Sequence, residues 1–155
     1  GAGFGTGTHP TTQLCLRWLE RNLRIGSSML DYGCGSGILA IAGEFYGAKK
    51  ITGIDVDDQA LYNARHNIEL NRSKIELLKS ENFHVERRYD IVIANILANV
   101  LMNIEPILRK ATARRLVLSG ILPDQAIRVR EAFVDWVTFD QIEKQDGWLL
   151  LSGRI

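Results

Sequence analysis

The sequence predicts an α/β protein in which helices cover both faces of a mostly parallel sheet that ends in an antiparallel hairpin. Three observations predict this fold. Short apolar runs alternate with segments of helical periodicity along the 155 residues, which is typical of parallel sheets with helices on both faces. A glycine-rich turn follows the first predicted strand. The last two predicted strands are joined only through Asp146 and Gly147, a connection that requires an antiparallel pair.

The helices are predicted from apolar side chains that recur every three or four residues. In the first helix, 10–23, Leu14 and Trp18 share one face. Asp57 and Asp58 are assigned to helix capping at the start of the third. Four helices follow the first, in the ranges 36–46, 57–70, 98–110 and 123–134.

The strands are predicted from short apolar runs bounded by turn residues. We see no internal repeat, low-complexity tract or linker, so residues 1–155 are expected to form one domain. The predicted strands cover 28–33, 51–55, 75–80, 89–96, 115–120, 136–145 and 148–155.

Composition and charge restrict the possible functions. An apolar content of 46% suits one domain with a substantial core, and a net charge of +1 argues against extended binding to nucleic acid. No apolar run approaches membrane-spanning length, and Cys15 and Cys34 are expected to remain reduced, so a cytoplasmic protein is expected. The chain begins without methionine on the loop GAGFGTGTHPTT, so we expect it to be a fragment of a longer protein.

A glycine-rich loop and an acidic residue predict a nucleoside-binding site at the carboxyl edge of the sheet. Asp55 ends the second predicted strand, where its carboxylate can accept hydrogen bonds from both ribose hydroxyls. Ile38 stands where a dinucleotide fingerprint has its third glycine, so a nucleoside without pyrophosphate, such as S-adenosylmethionine, fits better. Asp31 could meet the ammonium group of that ligand, directly or through water. The loop glycines are Gly33, Gly35 and Gly37.

Asn95 is the candidate catalytic residue, because it ends a buried strand at the same edge. Its side-chain oxygen and the Ile96 carbonyl could accept hydrogen bonds from an amine and direct the nitrogen lone pair at a methyl group. An asparagine that only turns the chain is the alternative. His9 could order the opening loop or relay a proton, although a plain loop residue is favoured. No metal is expected, because the histidines lack ligand spacing; they are His9, His66 and His84.

The stretches GFGTGTHPTT, DYGCGSGILAIA, GIDVD, VIANIL and LSGIL together resemble the catalytic domain of the methyltransferase family that modifies large-subunit ribosomal protein eleven. The resemblance spans essentially the whole chain. It implies a Rossmann-like class I fold of seven strands that uses S-adenosylmethionine to methylate lysine and N-terminal amines of the ribosomal protein. Residues that match the family's cofactor contacts are Thr12, Gly33, Asp55 and Asn95.

The resemblance also carries expectations about the rest of the protein. In that family the opening loop folds over the cofactor and a substrate-recognition domain precedes the catalytic domain. We expect a monomer that binds neither nucleic acid nor membrane. The stretch KATARRLVLSG departs from the family pattern, because it lacks the Pro-Gly-Gly turn that is usual before this strand.

Three other functions are compatible with these sequence features. A nicotinamide-dependent oxidoreductase shares the strand, the glycines and the acid, but it has no need for Asn95 or the hairpin. A nucleic-acid adenine methyltransferase would need an aromatic platform for a flipped base, and Ile96 and Leu97 offer none. A cofactor-binding module without its own activity is the third.

Overall fold

The computed structural model describes residues 7–155, which form one mixed sheet covered by helices on both faces. The helices are Pro10–Asn22 (α1), Ile38–Phe45 (α2), Asp58–Asn71 (α3), Ala98–Asn103 (α4), Glu105–Ala111 (α5) and Ala126–Phe133 (α6). The strands are Met29–Tyr32 (β1), Ile51–Asp55 (β2), Ile75–Lys79 (β3), Tyr89–Asn95 (β4), Thr112–Ile121 (β5), Thr138–Phe139 (β6), Glu143–Gln145 (β7) and Trp148–Arg154 (β8).

The strand order confirms the predicted fold class. The sheet runs β3-β2-β1-β4-β5-β8-β6, and β7 also pairs with β8. Strands β1 to β5 pair in parallel, whereas β8 is antiparallel to β5. The β7–β8 hairpin closes through a two-residue turn in which Asp146 and Gly147 both have positive φ, as a hairpin turn matched to the sheet twist requires.

The predicted strand 136–145 is divided into β6 and β7. Both pair with β8, but three residues of the divided strand, 140–142, face only two of β8. An extra residue of this kind is a β-bulge, which bends the strand and interrupts pairing. The described residues therefore contain eight strands, and β6 and β7 together occupy the place of the expected sixth.

The predicted helix 98–110 is divided as well. Helix α4 ends at Asn103, and α5 begins at Glu105 with Pro106 in its first turn. Proline has no N–H to donate to the preceding turn, so the helix breaks there. The predicted helix 123–134 likewise starts as a 3-10 turn, Pro123–Gln125, before α6.

The core lies on both faces of the sheet because neighbouring strand residues point to opposite sides. Met29 packs with α1 and α2, whereas its neighbour Leu30 packs on the face that carries α4, α5 and α6. Trp18 and Phe133 are the largest fully buried side chains, one on each face. In the described part of the chain, no helix has the length and apolar character needed to cross a membrane.

Candidate functional site

The carboxyl ends of three adjacent strands form the candidate site. Tyr32 at the end of β1 pairs with Ile54 of β2 and with Ala94 of β4. The next residue of each strand or turn is therefore at one edge of the sheet, where open α/β sheets bind ligands. The structure thus brings together Gly33, Asp55 and Asn95, as the sequence predicts.

The glycine loop has a backbone that other residues would adopt only with strain. Gly33, Gly35 and Gly37 have φ values of 80°, 53° and 84°, in the left-handed region that favours glycine. A Cβ on Gly33 would lie 2.5 Å from Cγ2 of Ile96, which is closer than real atoms approach. The loop therefore packs directly against the residue that follows Asn95.

Asp55 holds this loop in place. Its Oδ2 accepts a hydrogen bond from the Gly35 N–H at 2.9 Å, and its Oδ1 accepts one from the Asp57 N–H at 3.0 Å. A carboxylate has about four acceptor positions, so each oxygen retains capacity for a hydroxyl donor. Asp57 itself caps α3 by accepting from the Gln59 N–H at 3.0 Å, which confirms its assignment. Asp58 lies in the first turn and pairs with Lys79 at 3.3 Å.

Asp31 is a carboxyl group without a hydrogen bond among the described residues. The residue is 1% exposed, and neither side-chain oxygen has a partner. Burial is the main reason that the pKa of Asp31 is raised to about 7; the backbone N–H of Ala40 offsets part of this rise, and the negative charge of Asp55 adds to it. A buried carboxyl without a partner is costly, so this position favours a cationic ligand group.

Asn95 is the second buried group without a partner. It is 7% exposed, and its Oδ1 accepts no hydrogen bond from the described residues. Opposite it on β5 lies Ser119, whose carbonyl accepts from the Ile96 N–H at 3.1 Å and fixes the turn after β4. The Asn95 side chain does not cap the turn, so the structure offers no support for an asparagine that only turns the chain.

The first turn of α1 contains the other predicted site residues. Thr12 is fully buried there, and its contact with a cofactor stays a prediction. His9 is the N-cap of α1, where its Nδ1 accepts from the Thr11 N–H at 3.2 Å and its ring packs edge-on against Trp148. The expected closure of the opening loop falls mainly on residues 1–6, which lie outside the described residues.

One part of this edge was not predicted from the sequence. The polar turn Ser80–Asn82 follows β3, and the pairing of Asp55 with Lys79 places that turn beside the predicted ribose position. Val56, directly after Asp55, is 71% exposed at the same edge. The sequence signal that could have predicted its position at this edge is the polar turn directly after the neighbouring parallel strand. Within residues 7–155, no cluster of three potential metal ligands occurs.

Comparison with known proteins gives consistent matches. The family model described as ribosomal protein L11 methyltransferase matches residues 1–155. The ribosomal protein L11 methyltransferase of Thiobacillus denitrificans is 48% identical over 156 residues, covering 99% of this chain and 52% of that protein. The chain therefore spans about half the length of the curated relatives it matches.

Solved structures have the same fold. The ribosomal protein L11 methylase from Lactobacillus delbrueckii subsp. bulgaricus superimposes with a TM-score of 0.87 at 31% identity, covering 94% of this chain and 79% of that one. A methyltransferase from Pyrococcus furiosus gives a TM-score of 0.77 at 22% identity, over 97% of this chain and 84% of that one. At that lower identity the likeness concerns the fold alone.

Proposed function

The chain belongs to the ribosomal protein L11 methyltransferase family, and we propose that it is the catalytic domain of an S-adenosylmethionine-dependent protein N-methyltransferase. The observation that carries this proposal is a pair of buried side chains whose oxygens have no hydrogen-bond partner among the described residues: Asp31, next to the last residue of β1, and Asn95, at the end of β4. A ligand and a substrate amine would supply the partners that these two groups lack.

The residues present fit S-adenosylmethionine. Asp31 would receive the ammonium of its amino-acid portion, which removes the cost of a buried carboxyl without a counter-charge. Asp55 would accept from the ribose hydroxyls with the acceptor capacity that its two backbone hydrogen bonds leave. Gly33, Gly35 and Gly37 carry no side chains that would block a close approach to the backbone.

When bound, this cofactor supplies an electrophilic methyl group on a sulfonium sulfur. Asn95 accepts a hydrogen bond from the substrate amine through its Oδ1, with the Ile96 carbonyl as the second acceptor. Two acceptors would fix both N–H directions of a neutral primary amine and leave the nitrogen lone pair free to accept the methyl group. Positioning of this kind can supply most of the catalysis for a neutral nucleophile.

The reaction balances without an acid or base from the protein. The cofactor would supply the methyl group and retain the bonding electrons on sulfur, and the methylated amine would remain a cation, so the only proton released is the one that the amine loses before transfer. The amine must be neutral to attack, and a lysine amine has a pKa of about 10.4 in solution. Loss of that proton therefore precedes transfer.

We further propose ribosomal protein L11 as the substrate, with lysine and N-terminal amines as acceptors. The support is the name carried by relatives that are 43 to 48% identical to this chain. The protein is proposed to act as a cytoplasmic monomer that binds neither nucleic acid nor membrane as part of this reaction.

Calorimetric titration tests the cofactor site. S-adenosylhomocysteine should bind, whereas NAD should not, because the loop suits a nucleoside without pyrophosphate. Asp55→Ala should weaken binding by about 1 to 3 kcal/mol, the value of hydrogen bonds to a charged acceptor. Asp58→Ala is the control, because Asp58 is an exposed carboxylate of the adjacent helix that contacts Lys79 and not the loop. Equal affinities in the parent and Asp55→Ala would show that the ribose assignment is wrong.

A further inference from the structure

A second cleft lies at the opposite edge of the sheet from the candidate site. It has a volume of about 360 Å³ and opens where β1, β4 and β5 begin, near the paired residues Met29 and Ile91. Neither the glycine loop nor Asn95 borders it. The basic side chains that line it are Arg24, Arg114, Arg115 and Arg154.

The cleft concentrates positive charge at a cost to the sheet. Arg115 and Arg154 face each other directly on the antiparallel strands β5 and β8, and like charges in that position are destabilising. Asp140 bonds to both, at 3.0 Å to Arg115 and 3.5 Å to Arg154. One carboxylate thus forms ion pairs with two guanidinium groups that the sheet places side by side.

The remaining charges do not balance the cleft. Arg24 and Arg114 form no ion pair with any residue in 7–155. Asp90 also lines the cleft, but its carboxylate accepts a hydrogen bond from the Ser28 N–H at 3.0 Å and pairs with none of the four arginines. The acidic groups at the cleft are Asp90, Asp140 and the terminal carboxylate of Ile155, so the four arginines leave an excess of one positive charge.

Arg115 is fixed in position by several contacts besides its ion pair with Asp140. Its guanidinium lies 5.1 Å from the Trp18 ring centroid, its Nε donates to the Gly153 carbonyl at 3.4 Å, and its side chain is only 25% exposed. A guanidinium fixed in this way loses little conformational entropy when it binds an anion. Such planar donors match the oxygens of a phosphate group in a bidentate manner.

We propose that this cleft is a binding site for a phosphate group. The excess charge is local, since the whole chain carries only +1, so the cleft suits one phosphate and not a long nucleic-acid track. The phosphate could be free or could terminate a short oligonucleotide, and both present the same oxygens. This inference is independent of methyl transfer, because no residue of the cleft belongs to the candidate site.

An NMR titration with inorganic phosphate at constant ionic strength tests the proposal. The Arg115 Nε–H and Trp18 Nε1–H signals should shift and reach saturation as phosphate is added. The amide signal of Gly35, at the other edge of the sheet, should not shift. The double variant Arg24→Gln, Arg114→Gln removes two exposed charges and should weaken binding about tenfold or more, as expected for a charge-assisted hydrogen bond. The matched control is Arg65→Gln, Arg128→Gln, which removes two exposed arginines from α3 and α6 and should bind as the parent does.

A 5′-phosphorylated trinucleotide and its unphosphorylated form distinguish the sources of the phosphate. If the phosphorylated trinucleotide binds more tightly than inorganic phosphate, the proposal is supported and the ligand is the phosphorylated end of an oligonucleotide. If the two bind equally tightly, the proposal is supported and the ligand is a free phosphate. The proposal is overturned if neither probe binds saturably, or if the double variant binds them as tightly as the parent.

Discussion

At the scale of single residues, a variant of Asn95 distinguishes a catalytic role of this side chain from a role in cofactor binding. Asn95→Ala should lower kcat by about 100-fold, the scale seen when reacting groups lose their alignment, while the affinity for S-adenosylhomocysteine changes little. Asn99→Ala in α4 is the control, because its side chain is exposed. Steady-state kinetics and calorimetry on the same preparations give both values. Equal losses in rate and affinity would instead make Asn95 a cofactor contact.

Asp31 should make stability depend on pH. Its pKa is raised from 3.8 to about 7 on folding, so the folded protein binds this proton more tightly than the unfolded chain does. The free energy of unfolding should therefore fall as pH rises from about 4 to 7. The thiols of Cys15 and Cys34 also face Asp31, but burial raises both pKa values, so they stay protonated in this range.

Denaturant unfolding at several pH values measures this effect. Asp31→Asn should remove most of the fall between pH 4 and 7, since the amide cannot titrate. The exposed Asp58→Asn should leave the parent's profile unchanged. Saturating S-adenosylhomocysteine should reduce the fall in the parent, because its ammonium would stabilise the charged carboxylate. A parent profile that matches Asp31→Asn would contradict the assignment of this pKa.

At the scale of elements, the turn from β1 into α2 determines the geometry of the site. Gly33→Ala should destabilise the protein by more than the roughly 1 to 2 kcal/mol that a positive φ costs alanine, because the new Cβ would also collide with Ile96. Gly26→Ala isolates the conformational cost: Gly26 has a φ of 91°, but its Cβ would meet no atom within 4 Å. Urea unfolding of both variants gives the comparison. Equal losses would show that Ile96 does not restrict the loop.

The helices and strands also show which features of the fold local sequence patterns predict. Helix and strand periodicity predicted the order of the elements, and the glycine spacing with Asp55 predicted which strand ends meet. The break at Pro106 was open to prediction, because proline removes a helical hydrogen bond, but an apolar pattern that continues across it favoured one helix. The bulge at 140–142 depends on the register with β8, which no local pattern specifies.

At the scale of the whole molecule, the two edges of the sheet carry different chemistry. The candidate site at the carboxyl edge was predictable, because parallel strands bring their carboxyl ends together. A glycine or a polar residue marks each of these ends in the sequence, namely Gly33, Asp55 and Asn95. The basic cleft was not predictable, because its arginines are distant in sequence: Arg115 and Arg154 meet only when β5 pairs with β8, and Arg24 joins them from the turn after α1. The missing partners of Asp31 and Asn95 likewise became visible only with the packing around them.

The length of the chain relative to its family leads to a prediction about substrates. Remote contacts contribute binding energy that orients the reacting amine. This chain spans about half of its curated relatives, so its kcat/KM for ribosomal protein L11 should be well below that of a full-length family member. A short lysine peptide, which cannot reach remote contacts, should react equally slowly with both. Equal rates on the whole ribosomal protein would contradict a recruiting role for the additional length.

The proposed methyl transfer can be measured with an isotope-labelled methyl group on S-adenosylmethionine, whose position in ribosomal protein L11 is then found by mass spectrometry. We expect label on lysine or N-terminal amines at high concentrations of this chain, at a rate that increases between pH 7 and 9 as more amine becomes neutral. Asn95→Ala should transfer almost none. If the parent binds S-adenosylhomocysteine but labels no amine at any concentration, or labels it equally well without the Asn95 side chain, the proposed mechanism is contradicted.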